Sequence, residues 1–174
     1  MSEKSVVAQI GVGSNINPLE NIPKALELLK GYVTVTGISP FYRSRPAGTT
    51  DQPDFINGIF RITTEAEPKR LKFSILRVIE GTLGRVRMAD KNASRAIDLD
   101  ILLYGSLVLD VPDLVIPDPG LTRYPFVGIP LLALSPELTV PGTGKRLKDI
   151  FPDPAEKYGL AGMPEFTRQL FGLL

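Results

Sequence analysis

The order in which two periodicities alternate along the chain constrains its fold more than any other feature. Residues 6–12 form a continuous apolar run that reads as a buried strand, with Gly13-Ser14-Asn15 as the turn leaving it. Asn17 and Pro18 read as an N-cap and first helical position. Leu19, Ile22, Leu26 and Leu29 follow at helical spacing before Gly31, and Pro23 is expected to kink this helix or shift its start. Residues 32–43 are rich in β-branched and aromatic side chains and predict a second strand; residues 55–63 predict a third. Glu67-Pro68 opens a second helix with Leu71, Ile75, Val78 and Ile79 facing inward and Gly84 closing it; residues 97–104 predict a fourth strand. That order is βαββαβ. It specifies an α+β fold of the ferredoxin-like kind, an antiparallel sheet with helices packed on it.

The rest of the chain reads as elaboration on that core. A short strand near 107–109, a proline-rich loop over 112–125, an apolar helix near 127–134, a helical turn at 145–151 and a helix at 164–174 are expected. The length suits a single domain, 1–174, with its core over about 5–151 and a tail from 152.

Composition narrows the chemistry. Twenty lysines and arginines stand against 19 acidic residues, a net charge of +1 that argues against a nucleic-acid partner. Nothing in the sequence reads as a signal peptide or membrane span, so a cytoplasmic monomer acting on small molecules is expected. The chain has neither histidine nor cysteine. Catalytic arrangements built on those nucleophiles and bases are excluded, and any metal must take oxygen ligands, which suits Mg²⁺ better than zinc.

Within the fourth strand, Asp98 and Asp100 project to the same side while Ile97, Leu99 and Ile101 point to a core. Two carboxylates about 6–7 Å apart along a strand form an oxygen-rich site for Mg²⁺. Arg85, Arg87 and Arg95 supply donors that match phosphate geometry. Acids for a metal beside arginines for phosphates point to phosphoryl transfer, which relies on positioning and charge neutralisation. On these residues alone, an acidic outer face of a half-exposed strand remains the alternative.

Five blocks carry a wider likeness: Gly13-Ser14-Asn15; Phe41-Tyr42-Arg43-Ser44; Asp51-Gln52-Pro53-Asp54-Phe55-Ile56-Asn57; Glu80 with Gly84-Arg85-Val86-Arg87; and Arg95-Ala96-Ile97-Asp98-Leu99-Asp100-Ile101. In order and spacing, from about residue 6 to 138, they resemble the 6-hydroxymethyl-7,8-dihydropterin pyrophosphokinase family of folate biosynthesis. The resemblance implies transfer of pyrophosphate from ATP to a pterin alcohol, with two Mg²⁺ ions held by Asp98 and Asp100. It makes Arg85, Arg95, Asp98 and Asp100 the catalytic group, and Glu80, Arg85, Arg87, Arg95 and Asp118 the ATP contacts. The pterin falls to Ser44, Arg45, Ala47 and Asn57 at its hydrogen-bonding edge and to Phe55 and Phe126 at its faces. Without that context, the two phenylalanines read as ordinary core. The polar segment 85–95 is expected to close over the bound substrates.

Departures from the family pattern cluster at the nucleotide end. Asp118 stands where the family usually has histidine, Asp113 where a basic residue is common, and Tyr124 where many members have arginine, with Arg123 one place away. Asn92, Ala93 and Ser94 replace an aromatic residue and Gly-Pro before Arg95. An aspartate beside phosphates needs a close cation, and Arg123 or the strand-bound metal is the expected one. A pterin-binding relative without catalysis, and more remotely a ferredoxin-like RNA-binding module, are the competing functions.

Overall fold

The computed structural model describes residues 5–46, 48, 51–88 and 93–174. Its central sheet is antiparallel. β1 (Val6–Ser14) lies between β5 (Asp98–Tyr104) and β4 (Phe55–Thr64). β4 then pairs with two short strands, β2 (Thr34–Ile38) and β3 (Tyr42–Ser44), and β3 carries a last strand, β8 (Ala161–Gly162), on its outer edge.

The predicted second strand is therefore two strands. Ser39, Pro40 and Phe41 divide them, because Pro40 has no N–H for the ladder. The break is stitched back to β4 by Ser39, whose N–H donates to Ile59 O at 3.0 Å and whose Oγ accepts from Ile59 N–H at 2.8 Å. It also drives Phe41 into the core, where its ring atoms lie 2.5 Å from where a Cβ on Gly58 would stand. Position 58 therefore has room only for glycine.

One face of the sheet is covered by α1 (Pro18–Lys30) and by a continuous helix over 68–82. α1 buries Ile22, Ala25, Leu26 and Leu29, but Leu19 is 54% exposed, one turn too early for the sheet. Its start is not capped by the Asn17 side chain. Asn17 adopts a left-handed backbone (φ 44°) and its carbonyl accepts from the amides of Glu20 and Asn21. Pro23 is accommodated within the helix.

The second helix consists of α2 (Pro68–Arg70), a π-helical stretch (Leu71–Leu76) and α3 (Arg77–Thr82). Sequence periodicity predicts Val78 inward, yet Val78 is 47% exposed while Leu76 is fully buried. The wider turn is the reason. It absorbs about one extra residue, so everything after it lags by about 100° around the axis. Val78 swings out, Leu76 and Ile79 point in, and Glu80 turns under β5.

After β5 comes a hairpin of β6 (Leu109–Val111) and β7 (Leu114–Ile116) whose Leu114 and Ile116 belong to the first core, whereas the opposite face carries the later elaborations. The expected strand thus lies slightly later, and the expected loop contains a strand of its own. The same stretch also contains α4 (Gly120–Arg123), and α5 (Pro125–Leu134) then packs on β4. With α6 (Leu147–Ile150) these segments bury a second core around Ile59, Leu102, Leu121 and Phe151. A bulge in β5 opposite Gln9 and Ile10 puts both Leu102 and Leu103 into that second core. The tail ends in α7 (Pro164–Phe171), whose Phe166 and Leu170 belong to the first core and whose Thr167 Oγ accepts from Phe41 N–H at 2.9 Å.

Glu80 is 2% exposed and joins helix, strand and arginine loop. It accepts from Leu99 N–H at 2.8 Å and from Arg87 Nη2 at 2.9 Å, and it pairs with Arg85 Nη1. Glu80→Ala leaves the largely buried Arg85 guanidinium without one partner and the Leu99 amide without its acceptor. The expected loss, by chemical denaturation, is about 3–5 kcal/mol. Glu80→Gln retains an acceptor and should lose less. A loss under about 1 kcal/mol for Glu80→Ala, the range of exposed ion pairs, would contradict this role.

Candidate active site

The face that carries α5 is not completely covered. Between sheet and α4–α5 lies a cleft of about 440 Å³. Its floor is a row of residues at matching positions on neighbouring strands: Asp98 opposite Gly13, and Gly13 opposite Asn57. A second row sets Asp100 opposite Gly11 and Gly11 opposite Ile59. Residues paired across strands share a face, so two glycines lie between the acids and the amide. A Cβ on Gly13 would stand 2.9 Å from Asn57 Oδ1. The flat floor is thus a consequence of glycine at 11 and 13. Asn57 and Asp98 are separated by two strand spacings, about 10 Å, the span of a flat bicyclic ring with a short arm.

At the amide end, Asn57 is 7% exposed and its Nδ2 donates to Ser44 Oγ at 2.8 Å. Phe55, two residues along the same strand face, lines the cleft, as do Arg45 and, from α5, Phe126. Tyr124 lies 5.2 Å from Phe126, stacked at an interplanar angle of 16°, and Arg123 lies over Tyr124 and also lines the cleft. Ala47 lies outside the described residues.

At the acidic end, Asp98 is held by two arginines. Arg95 Nη1 donates to Oδ2 at 2.6 Å, and Arg85 Nη1 pairs with Oδ1. Arg85 thereby bridges Asp98 and Glu80, whereas Arg87 meets only the Glu80 side of this network. Glu80 itself lies behind β5 rather than on the cleft wall. Burial pushes its carboxyl above the usual range, with the Leu99 amide and Arg85 opposing.

Asp100 carries a different charge balance. Desolvation by the surrounding protein, then the negative charges of Asp98, Asp118 and Glu80, push its pKa up to about 7, with Arg85 opposing. Its side chain is open to the cleft on one side, so solvent moderates the desolvation and like-charge crowding is the firmer cause. The site therefore has an excess of negative charge where a cation would be stabilised. Two carboxylates, with no histidine or cysteine in the chain, fit Mg²⁺, which binds through one or two carboxylates and completes its shell with water and phosphate oxygens. Among the described residues no cluster of three or more acidic ligands exists that would cage a metal without a substrate.

Asp118 also reaches the cleft. Its N–H donates to Leu102 O at 3.0 Å and its Oδ1 accepts from Gly120 N–H at 2.7 Å, a turn so tight that a Cβ at 120 would stand 2.8 Å from that oxygen. Burial raises its carboxyl, the Gly120 amide opposes, and the charge that also lowers it is Lys72. Lys72, distant in sequence and on another element, carries no motif that would have marked it. Asn15 was legible as a turn residue and as part of the first motif block, without a site role of its own. Its side chain accepts from Arg95 N–H at 2.8 Å and donates toward Gln52 Oε1, Pro53 O and Ser94 Oγ at 3.1–3.2 Å, tying three loops together at the cleft edge. Ser94, a departure from the family pattern, is used in that network. Of the segment 85–95, residues 89–92 lie outside the described residues.

The sequence model of the 7,8-dihydro-6-hydroxymethylpterin-pyrophosphokinase (HPPK) family matches residues 9–136, which include both rows of the cleft floor, Glu80, the arginines and Phe126. The 2-amino-4-hydroxy-6-hydroxymethyldihydropteridine pyrophosphokinase of Haemophilus influenzae is 36% identical over 141 residues, 79% of this chain and 87% of that protein. The protein of the same name from Pseudomonas aeruginosa is 37% identical over 144 residues, 81% of this chain and 87% of the relative. Among solved structures, Plasmodium falciparum HPPK-DHPS with pteroate superposes with a TM-score of 0.68 at 13% identity, covering 87% of this chain and 43% of that one. That last likeness is one of fold. With family match, relatives and cleft residues in agreement, this chain belongs to the 7,8-dihydro-6-hydroxymethylpterin-pyrophosphokinase family.

Proposed function

We propose that the cleft transfers the terminal pyrophosphoryl group of ATP to the hydroxymethyl oxygen of 6-hydroxymethyl-7,8-dihydropterin, the folate-pathway reaction of its family. The observation that carries this reading is the floor row: a carboxylate held by two arginines, a flat glycine, and a buried amide about two strands away. Asn57, with Ser44 and the neighbouring Arg45, reads the pterin edge, and Phe55 and Phe126 offer ring faces to it. Asp98 and Asp100 would hold two Mg²⁺ ions, which would supply neutralisation of phosphate charge and acidification of the attacking hydroxyl.

Arg85 and Arg95 exchange Asp98 for phosphate oxygens as ATP enters, the guanidinium forks suiting either partner. Arg87 approaches from the rim, Glu80 steadies Arg85 and Arg87 from behind, and Asp118 borders the phosphates. The hydroxymethyl oxygen attacks the β-phosphorus, the bond from that phosphorus to the oxygen carried by the α-phosphate breaks, and AMP leaves. The chain works as a monomeric single domain in the cytoplasm, without nucleic acid. Its net charge of +1 supports the lack of a nucleic-acid partner, and among the described residues no helix is long and apolar enough to cross a membrane.

The deciding assay follows the nucleotide product with Mg²⁺, ATP and the pterin alcohol. AMP formed one for one with pterin diphosphate is expected. Pterin binding without AMP formation would favour the non-catalytic reading, for which Asp113 and Asp118 at the nucleotide end are the motive.

Asp98→Ala and Asp100→Ala should each lower kcat by orders of magnitude while circular dichroism stays native, because each removes a carboxylate from the metal set without removing core packing. Near-normal turnover of either variant at saturating Mg²⁺ would remove it from the metal set.

A pH experiment tests the electrostatics of Asp100 without substrate. Its folded pKa lies above the ordinary aspartate value of 3.8, at about 7, so the folded chain binds a proton that the unfolded chain lacks between those limits. The contribution of this group to stability is fully present below the lower limit and is lost as pH rises through the upper one. In chelator, Asp100→Asn should be more stable than the parent at pH 8, with a smaller difference at pH 5. Equal differences at both values by urea unfolding would contradict the assignment.

A further inference from the structure

Beyond Asp100 and Asp118 the cleft continues into a second cavity of about 270 Å³, sharing those two residues and Pro119 as its walls. Its other sides come from the β6–β7 hairpin, including Asp113 and Leu114, from Ile101 on β5, and from Lys72 on the π-helical stretch. Three carboxylate residues, Asp100, Asp113 and Asp118, line it. Among the described residues lining it, Lys72 is the cation.

The position of Lys72 is built rather than incidental. Its Nζ donates to Asp113 O at 2.6 Å, which anchors the ammonium to the hairpin turn and uses one of its three donors. The π turn contributes as well. On a regular helix Lys72 and Glu80 would lie about 80° apart; the extra residue reduces this to about 20°. One helix can then present Glu80 to the arginine loop and Lys72 to the second cavity. The ammonium charge is felt at Asp118, whose proton affinity it lowers.

ATP whose terminal phosphates sit beside Asp98 and Asp100 must extend its remaining length somewhere, and the second cavity is contiguous with that position. Phosphate there shares the cavity with Asp113 and Asp118, whose negative charges repel it. We propose that Lys72 is a nucleotide-positioning cation of this chain, binding the phosphate chain of ATP at its ribose end and screening it from Asp118. The proposal rests on the reading of the cleft as an ATP site. It adds Lys72 to Arg123 and the metal as a cation that compensates Asp118.

Calorimetric titration of the full chain with a non-hydrolysable ATP analogue and Mg²⁺ tests it, using the parent, Lys72→Met, Lys72→Arg and the double variant Lys72→Met with Asp118→Asn. Lys72→Met should weaken the analogue about tenfold or more, the scale of a charge-assisted hydrogen bond, with affinity for a pterin analogue unchanged. In turnover, the KM for ATP should rise with kcat little altered. Lys72→Arg should stay within a few-fold of the parent. Removing the Asp118 charge in the double variant should recover part of the loss, which a purely structural role in holding the hairpin would not produce. Analogue affinity of Lys72→Met within twofold of the parent, or no recovery in the double variant, overturns the proposal. Failure of the parent itself to bind the analogue overturns the ATP reading, and with it this inference.

Discussion

A carboxylate buried behind the active strand is the constraint on which the site depends. Glu80 cannot sit 2% exposed as an anion unless its oxygens are occupied, and they are occupied by the Leu99 amide, Arg85 and Arg87. The same bonds hold β5 to the second helix and hold Arg85 against Asp98. Fold stability and catalytic geometry therefore share one group. The π turn is what allows it, because a regular helix would aim Val78 at the sheet and carry Glu80 away from β5.

The cleft floor follows a different principle, that of leaving things out. Gly11 and Gly13 alternate with core residues Ile10 and Val12 on β1, so one strand builds a packed face and a bare one. On either side, β5 contributes acids and β4 contributes an amide and a phenyl ring. A flat substrate needs this emptiness as much as it needs partners, since any side chain at 13 meets Asn57. The rigid sheet fixes the spacing between the two ends, while Arg85 and Arg95, the groups proposed to exchange Asp98 for phosphate, come from the segment before β5.

The acidic end is electrostatically unfinished in the ligand-free chain. Asp98 has two arginines, but Asp100 and Asp118 face each other across the junction of two cavities with little compensation beyond Arg85 and Lys72. Such a site favours whatever brings positive charge with it, and a metal-bound triphosphate does. Preorganised excess charge of this kind costs stability and is repaid on binding, the usual compromise at functional sites.

Much of this was readable along the chain. The alternation at Asp98-Leu99-Asp100 placed two acids on one face, the strand and helix order specified the antiparallel sheet, and the motif blocks carried the family. Those features are local or depend on spacing along one element, so sequence alone determines them. Three features were decided only by tertiary structure. The seating of Phe41 in the core after the break at Pro40 depends on the room left opposite Gly58. The outward turn of Val78 depends on a π stretch that no composition signals. The pairing of Lys72 with the Asp113 carbonyl and the Asp118 charge depends on a hairpin folding back across the helix. The first and third are contacts between residues far apart in sequence, whose energy exists only once the sheet has brought them together; the second is a local change of helix geometry that regular periodicity does not reveal.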